Sequence, residues 1–119
     1  VFGPDRAWTI PYDAGFQRTS AHHSNLFFGA SLKALALLGE EKGYALIGCT
    51  SAGNNAYFVR KDKVKGLTIK GAEEAYVASK FRESRDEKGH FTYISGEKRL
   101  KLLKGLEVFD VEAQSTVRI

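Results

Sequence analysis

The chain is poor in the residues that usually announce chemistry. Its 119 residues include one cysteine, Cys49, and no methionine. One cysteine forms no internal disulfide. The expectation is therefore a fold held by packing, in a reducing, cytoplasmic setting. The two prolines, Pro4 and Pro11, both fall near the start. Twelve glycines are present, but no two of them form a G-x-G. Loops that cradle a pyrophosphate or nucleoside use closely spaced glycines so that the backbone can approach the ligand. G-x-S-x-G, a Walker-type loop, zinc-ligand spacing and a calcium loop are also missing. No apolar run nears the ~18 residues that cross a bilayer, so no membrane partner is expected. The opening VFGPDRAWTIPYD has no basic region followed by an apolar run, as a secretory leader would. With no methionine at position 1, Val1 is expected to be a processed or non-native start.

What is present is ordinary for a globular protein: 43% apolar and 27% charged residues, enough for one domain. The net charge is +4, and the basic excess is concentrated, with 13 Lys and Arg against 7 Asp and Glu between Arg60 and Lys104. Acidic residues interrupt the basic ones, as in KFRESRDEK. That pattern fits a solvated helix face better than a nucleic-acid track.

Residues 1–25 read as a loop-rich arm broken by Gly3, Pro4, Pro11 and Gly15. Residues 7–11 can be extended, and Pro11 argues against a central strand there. Leu32, Leu35, Ala36 and Leu38 recur mostly at three and four residues, which predicts a helix over 30–42. Ser24 or Ser31 can cap its start, and Gly43 can end it in the left-handed conformation. Two strands follow, Tyr44–Cys49 and Ala56–Arg60, joined by the polar turn TSAGNN. The first of these is expected to be buried. A second helix is expected over 71–85, with Ala72, Ala75, Tyr76, Ala78 and Phe81 as its apolar face. Residues 91–94 can form a short extended piece. A third helix over 97–104, capped by Ser95, should turn Leu100 and Leu103 inward. Residues 106–111 alternate like a strand, and the tail to Ile119 is expected to fray. The predicted fold class is α/β, or α+β in segregated form. Its parts are a helix followed by an antiparallel β-hairpin and two short helices, in a single domain over 1–119 with segments 1–25, 26–60 and 66–111.

The stretches PYDAGFQRTSAHHSNLFFGASL and GASLKALALLGEEKGYALIGCTSAGNNAYFVRKD, with FRESRD further on, resemble the C-terminal end of a bacterial family. This is a methyltransferase-like (FkbM-related) family that uses S-adenosylmethionine, and the resemblance covers nearly the whole chain. It implies that a Rossmann-like half comes first and holds the cofactor, and that a helix and an edge hairpin complete the sheet. It also implies that the loop around Tyr12, Asp13 and Arg18 sits over a substrate. This chain lacks the glycine-rich loop and has no cofactor site of its own. It is expected to be inactive alone.

The candidate substrate-loop residues are Tyr12, Asp13, Arg18, His22, His23, Asn54 and Asn55. Arg18 can clamp a carboxylate or phosphate. His22 and His23 with Asp13 can serve a metal or a proton, or simply bond within a loop. Their adjacency lacks H-x-H spacing, so no metal centre and no catalytic residue are assigned. Asn54 and Asn55 can bind a polar ligand or merely shape the turn. Cys49 reads as a small core residue. Lys61, Lys63 and Lys65 form a basic run suited to solubility or to an anion. A lone hairpin is marginal in water and its edge invites pairing, so a homodimer burying the hairpin is expected. The rival readings are a small basic binding or assembly module, or a truncated product without a catalytic role.

Overall fold

The computed structural model describes residues 1–80 and 83–119. The expected contribution of Phe81 to a helix lies outside the described residues. The chain is a compact mixed α/β domain with two small antiparallel sheets and few helices.

The helix–hairpin unit forms as the local pattern requires. Two short elements precede it: strand β1 (Trp8–Thr9) and helical turn α1 (Arg18–Ala21). Helix α2 then spans Leu32–Glu41. Ser31 Oγ accepts the Ala34 N–H at 3.1 Å and so satisfies one of the orphan donors of the first turn. Gly43, at φ 78°, ends the helix. The chain turns directly into β2 (Tyr44–Cys49), which pairs with β3 (Ala56–Arg60) from Tyr44↔Arg60 to Cys49↔Ala56. An irregularity between Leu46 and Gly48 interrupts the register. Gly39 lets the helix lie on the hairpin: a Cβ there would stand 3.0 Å from the Phe58 ring. Only Ala45 and Leu46 of β2 are buried, so the strand is more open than expected.

Beyond the hairpin, among the described residues, the second predicted helix is largely absent. After a single 3-10 turn at Lys61–Lys63, α3 covers only Ala72–Ala75. Tyr76 is already extended, at φ −63° and ψ 130°. The competing interaction is the hairpin tip. The Lys80 N–H donates to the Ala52 carbonyl at 2.9 Å. A Cβ on Gly53 would fall 2.4 Å from the Val77 carbonyl oxygen, so residues 76–80 form a strap that runs directly over the missing side chain. Helix propensity is a weak preference, and this close tertiary fit overrides it.

Helix α4 spans Glu97–Leu102 and leaves Leu103 fully buried. Ser95 does not cap it; Gly96, at φ 58°, occupies the cap position. The expected extended piece over 91–94 is reduced to one bridge, Arg85↔Phe91. The tail does not fray. Strands β4 (Glu107–Asp110) and β5 (Ser115–Arg118) form a hairpin, and β1 adds to the other side of β4. Asp110 Oδ1 accepts the N–H groups of Glu112 and Ala113 at 2.9 and 3.0 Å, which closes the turn. Ile119 donates to the Leu106 carbonyl at 3.0 Å and accepts from Gly105 at 2.8 Å.

The core lies where the chain ends meet. Phe2, Leu26, Leu103 and Val108 are almost fully buried, with Trp8, Ile10, Leu100, Val117 and Ile119 packed around them. The arm over 1–25 is thus not only a loop: Phe2 and Ala7 are buried and β1 is a sheet edge, as Pro11 allows. Among the described residues, no helix is long and apolar enough to cross a membrane.

Candidate functional site

The seven residues singled out from the sequence do not converge on one centre. They fall into three groups.

Tyr12 and Asp13 line a pocket of about 550 Å³ with Ile10, Phe16, Phe109 and Thr116. The pocket lies on the sheet face opposite the core. Register pairs Thr9 with Phe109 and Phe109 with Thr116, so these three share that face, while Trp8, Val108 and Val117 point into the core. The loop over 11–16 forms the other wall. Asp13 Oδ1 accepts the Gly15 N–H at 2.8 Å, which holds its side chain, and its carbonyl accepts the Phe16 N–H at 3.2 Å, which closes the turn. Tyr12 stands 95% exposed at the mouth.

Arg18, His22 and His23 form a second group. Arg18 reaches Glu83 at 2.8 Å and lies 5.0 Å from the centre of the Phe28 ring. It is held in place by these contacts rather than presented to a ligand. The two imidazoles stack with centroids 4.2 Å apart. His22 Nδ1 lies 2.7 Å from Ser24 Oγ and 3.3 Å from the Ser24 backbone N, whose hydrogen it accepts. That nitrogen therefore acts as an acceptor, and the Ser24 hydroxyl donates to it. Ser24 Oγ in turn accepts the Leu26 N–H at 3.3 Å. Burial, and then the neighbouring His23, push the His22 pKa below the ordinary histidine value. The pair resembles a histidine–serine dyad in distance, but Ser24 has no exposure and no substrate could reach its hydroxyl. Asp13 is in the other pocket and does not join the histidines. Among the described residues, no group of three His, Cys, Asp or Glu side chains could hold a metal.

Asn54 and Asn55 belong to a third group, at the hairpin tip. Thr50 Oγ1 donates to Asn54 Oδ1 at 2.9 Å, and the Thr50 N–H donates to the Asn55 carbonyl at 3.0 Å. Both therefore shape the turn. They also line a small pocket of about 110 Å³, together with Ser31, Cys49 and Tyr76. Cys49 is partly buried, and burial pushes its thiol pKa up, which disfavours the thiolate a nucleophile needs.

Two features escaped the sequence reading. Arg99 is 4% exposed and donates to the carbonyls of Ile94 and Ser79, both at 2.8 Å, so it ties α4 to the strap over the hairpin. Asn25 is 5% exposed at φ 59°, and its Oδ1 has no hydrogen-bond partner among the described residues. Neither stands out in a sequence, because burial of a single polar residue leaves no periodic signal. Phe16 and Phe109, which complete the first pocket, were missed because they lie far apart in the chain and only the fold brings them to one pocket.

No family model, curated protein or solved structure matches the chain.

Proposed function

We propose that this chain is the C-terminal, substrate-side portion of a methyltransferase-like protein and has no methyl-transfer activity alone. The supporting observation is the open edge of β3. The order α2, β2, β3 is that of the helix and hairpin that finish such a sheet. β2 receives a backbone hydrogen bond from outside the hairpin, from Lys70 to the Leu46 carbonyl at 2.9 Å. Among the described residues, no strand pairs with the outer side of β3. Tyr57 on β3 and Leu38 on α2 are 55% and 48% exposed. An unpaired edge beside exposed apolar groups is what a preceding sheet would cover. S-adenosylmethionine would be held by that preceding half.

The test is calorimetric titration with S-adenosylhomocysteine, the demethylated cofactor, which lacks the sulfonium charge. It is run on this chain and on a longer chain carrying the residues encoded upstream. Binding only by the longer chain is expected. Absence of binding by both, or binding by this chain alone, would refute the reading. A second reading rests on the same edge: a basic assembly module, or a truncated product, in which β3 pairs with a second copy. Light scattering separates the two, because a homodimer of this chain that persists in the longer one favours the module.

A further inference from the structure

The pocket between the 11–16 loop and the outer face of the three-stranded sheet is complete within this chain, so it owes nothing to the reading above. Its chemistry is specific. Tyr12, Phe16 and Phe109 contribute three aromatic rings, and Asp13 is the one charged side chain in the lining. Among the described residues, no lysine, arginine or histidine lies within salt-bridge distance of the Asp13 carboxylate. The Gly15 N–H holds Oδ1 and leaves Oδ2 for a ligand. An anion would meet this carboxylate with repulsion. A neutral apolar ligand would gain nothing from it. A hydrated primary ammonium would need several acceptors, and the walls here are mostly aromatic and aliphatic.

We propose that this pocket binds an organic cation of the quaternary or fully methylated ammonium class. Such a group has an apolar surface and a diffuse charge, and it asks for no hydrogen bonds. Ring faces attract it through their quadrupoles, and one carboxylate balances its charge. A volume of about 550 Å³ takes a choline-sized or benzyl-substituted cation.

The experiment is an NMR titration of this chain with choline and with benzyltrimethylammonium. The control ligand is the neutral isostere of choline, in which carbon replaces the quaternary nitrogen. Saturable shifts at the Gly15 amide and the Phe16 ring are expected from the cations. The isostere should bind about tenfold more weakly, a difference of roughly 1.4 kcal/mol. Asp13→Asn keeps the Oδ1 acceptor and Tyr12→Leu alters an exposed side chain, so both should fold, as an unchanged Trp8 indole signal would verify. Each should weaken cation binding. Equal binding of the isostere, unsaturable shifts, full affinity in Asp13→Asn, or shifts that follow protein concentration instead of cation would overturn the proposal. Because S-adenosylhomocysteine has no sulfonium and its one cationic group is a hydrated primary ammonium, which this pocket does not suit, a failure here is distinct from a failure of the cofactor test.

Discussion

The indole Nε1 of Trp8 donates to Asp110 Oδ2 at 3.1 Å, joining residues 102 positions apart across the β1–β4 pair. The same carboxylate closes the β4–β5 turn through its other oxygen. One side chain therefore holds the edge strand and the final hairpin together. Its pKa is lowered first by the Ala113 N–H, then by the Trp8 and Glu112 hydrogen bonds and by the charge of Lys33; partial burial opposes them. A carboxylate whose folded pKa is depressed stabilises the fold above its unfolded pKa. That contribution disappears as pH falls through the folded value. Asp110→Ala should therefore lower the melting temperature at neutral pH and leave a shallower acid dependence below pH 3.8, the ordinary value. Trp8→Phe should lower it too. A double-mutant cycle read by thermal melting should show coupling between them.

Gly39→Ala tests the helix–hairpin contact. In a free helix the change would stabilise by about 1 kcal/mol. Here the new methyl meets the Phe58 ring at 3.0 Å. Crowding of that kind costs roughly 1–3 kcal/mol, so the net effect should be destabilising. In a Phe58→Leu background the sign should reverse, which urea denaturation of the four combinations can decide.

Leu103→Ala removes a fully buried side chain from the core. A loss of about 2–5 kcal/mol is expected. Leu38→Ala, at a 48% exposed position, should change stability far less. Deleting Ser115–Arg118 and Ile119 should abolish cooperative unfolding, because Val117 and Ile119 pack on the core. If the truncated chain melted like the parent, β5 would not be structural.

His22 should make stability fall in mild acid. Its folded pKa lies below the reference 6.5. Above 6.5 it is neutral in both states. As pH falls from there through the folded value, the unfolded chain takes up the proton first and gains stability relative to the fold. His22→Asn should flatten the change in denaturation midpoint between about pH 7.5 and about pH 5.5. An unchanged slope would show that His22 is not the titrating group.

How much of this was legible depends on where each interaction partner lies in the chain. α2, β2 and β3 were readable because their determinants are close together: leucines at helical spacing, the Ser31 cap, Gly43 at the stop, and a strand pair with its turn between them. α3 was overestimated, since the alternating charges of residues 71–85 suit a helix but the Gly53 tip captures the chain at Val77 and Lys80. Tyr12 and Asp13 were recognisable as chemistry. Their pocket was not, because its far wall is Phe109 and Thr116.

The sequence by itself determined the elements whose signals are local: the helix, its ends, the hairpin that follows, and the inward leucines of α4. It also determined which motifs are missing, since those are defined by residue types and spacings. Only the tertiary structure decided that the two ends of the chain form the core, that the tail is a strand, and that the seven candidate residues lie in three places. Alternation marked β4 and the extended residues over 7–11 marked β1, but the four-residue β5 carries too little pattern to declare itself. These strands are stable only once Trp8 meets Asp110 and Val108 meets Val117, and those pairings arise from burial shared across the whole chain.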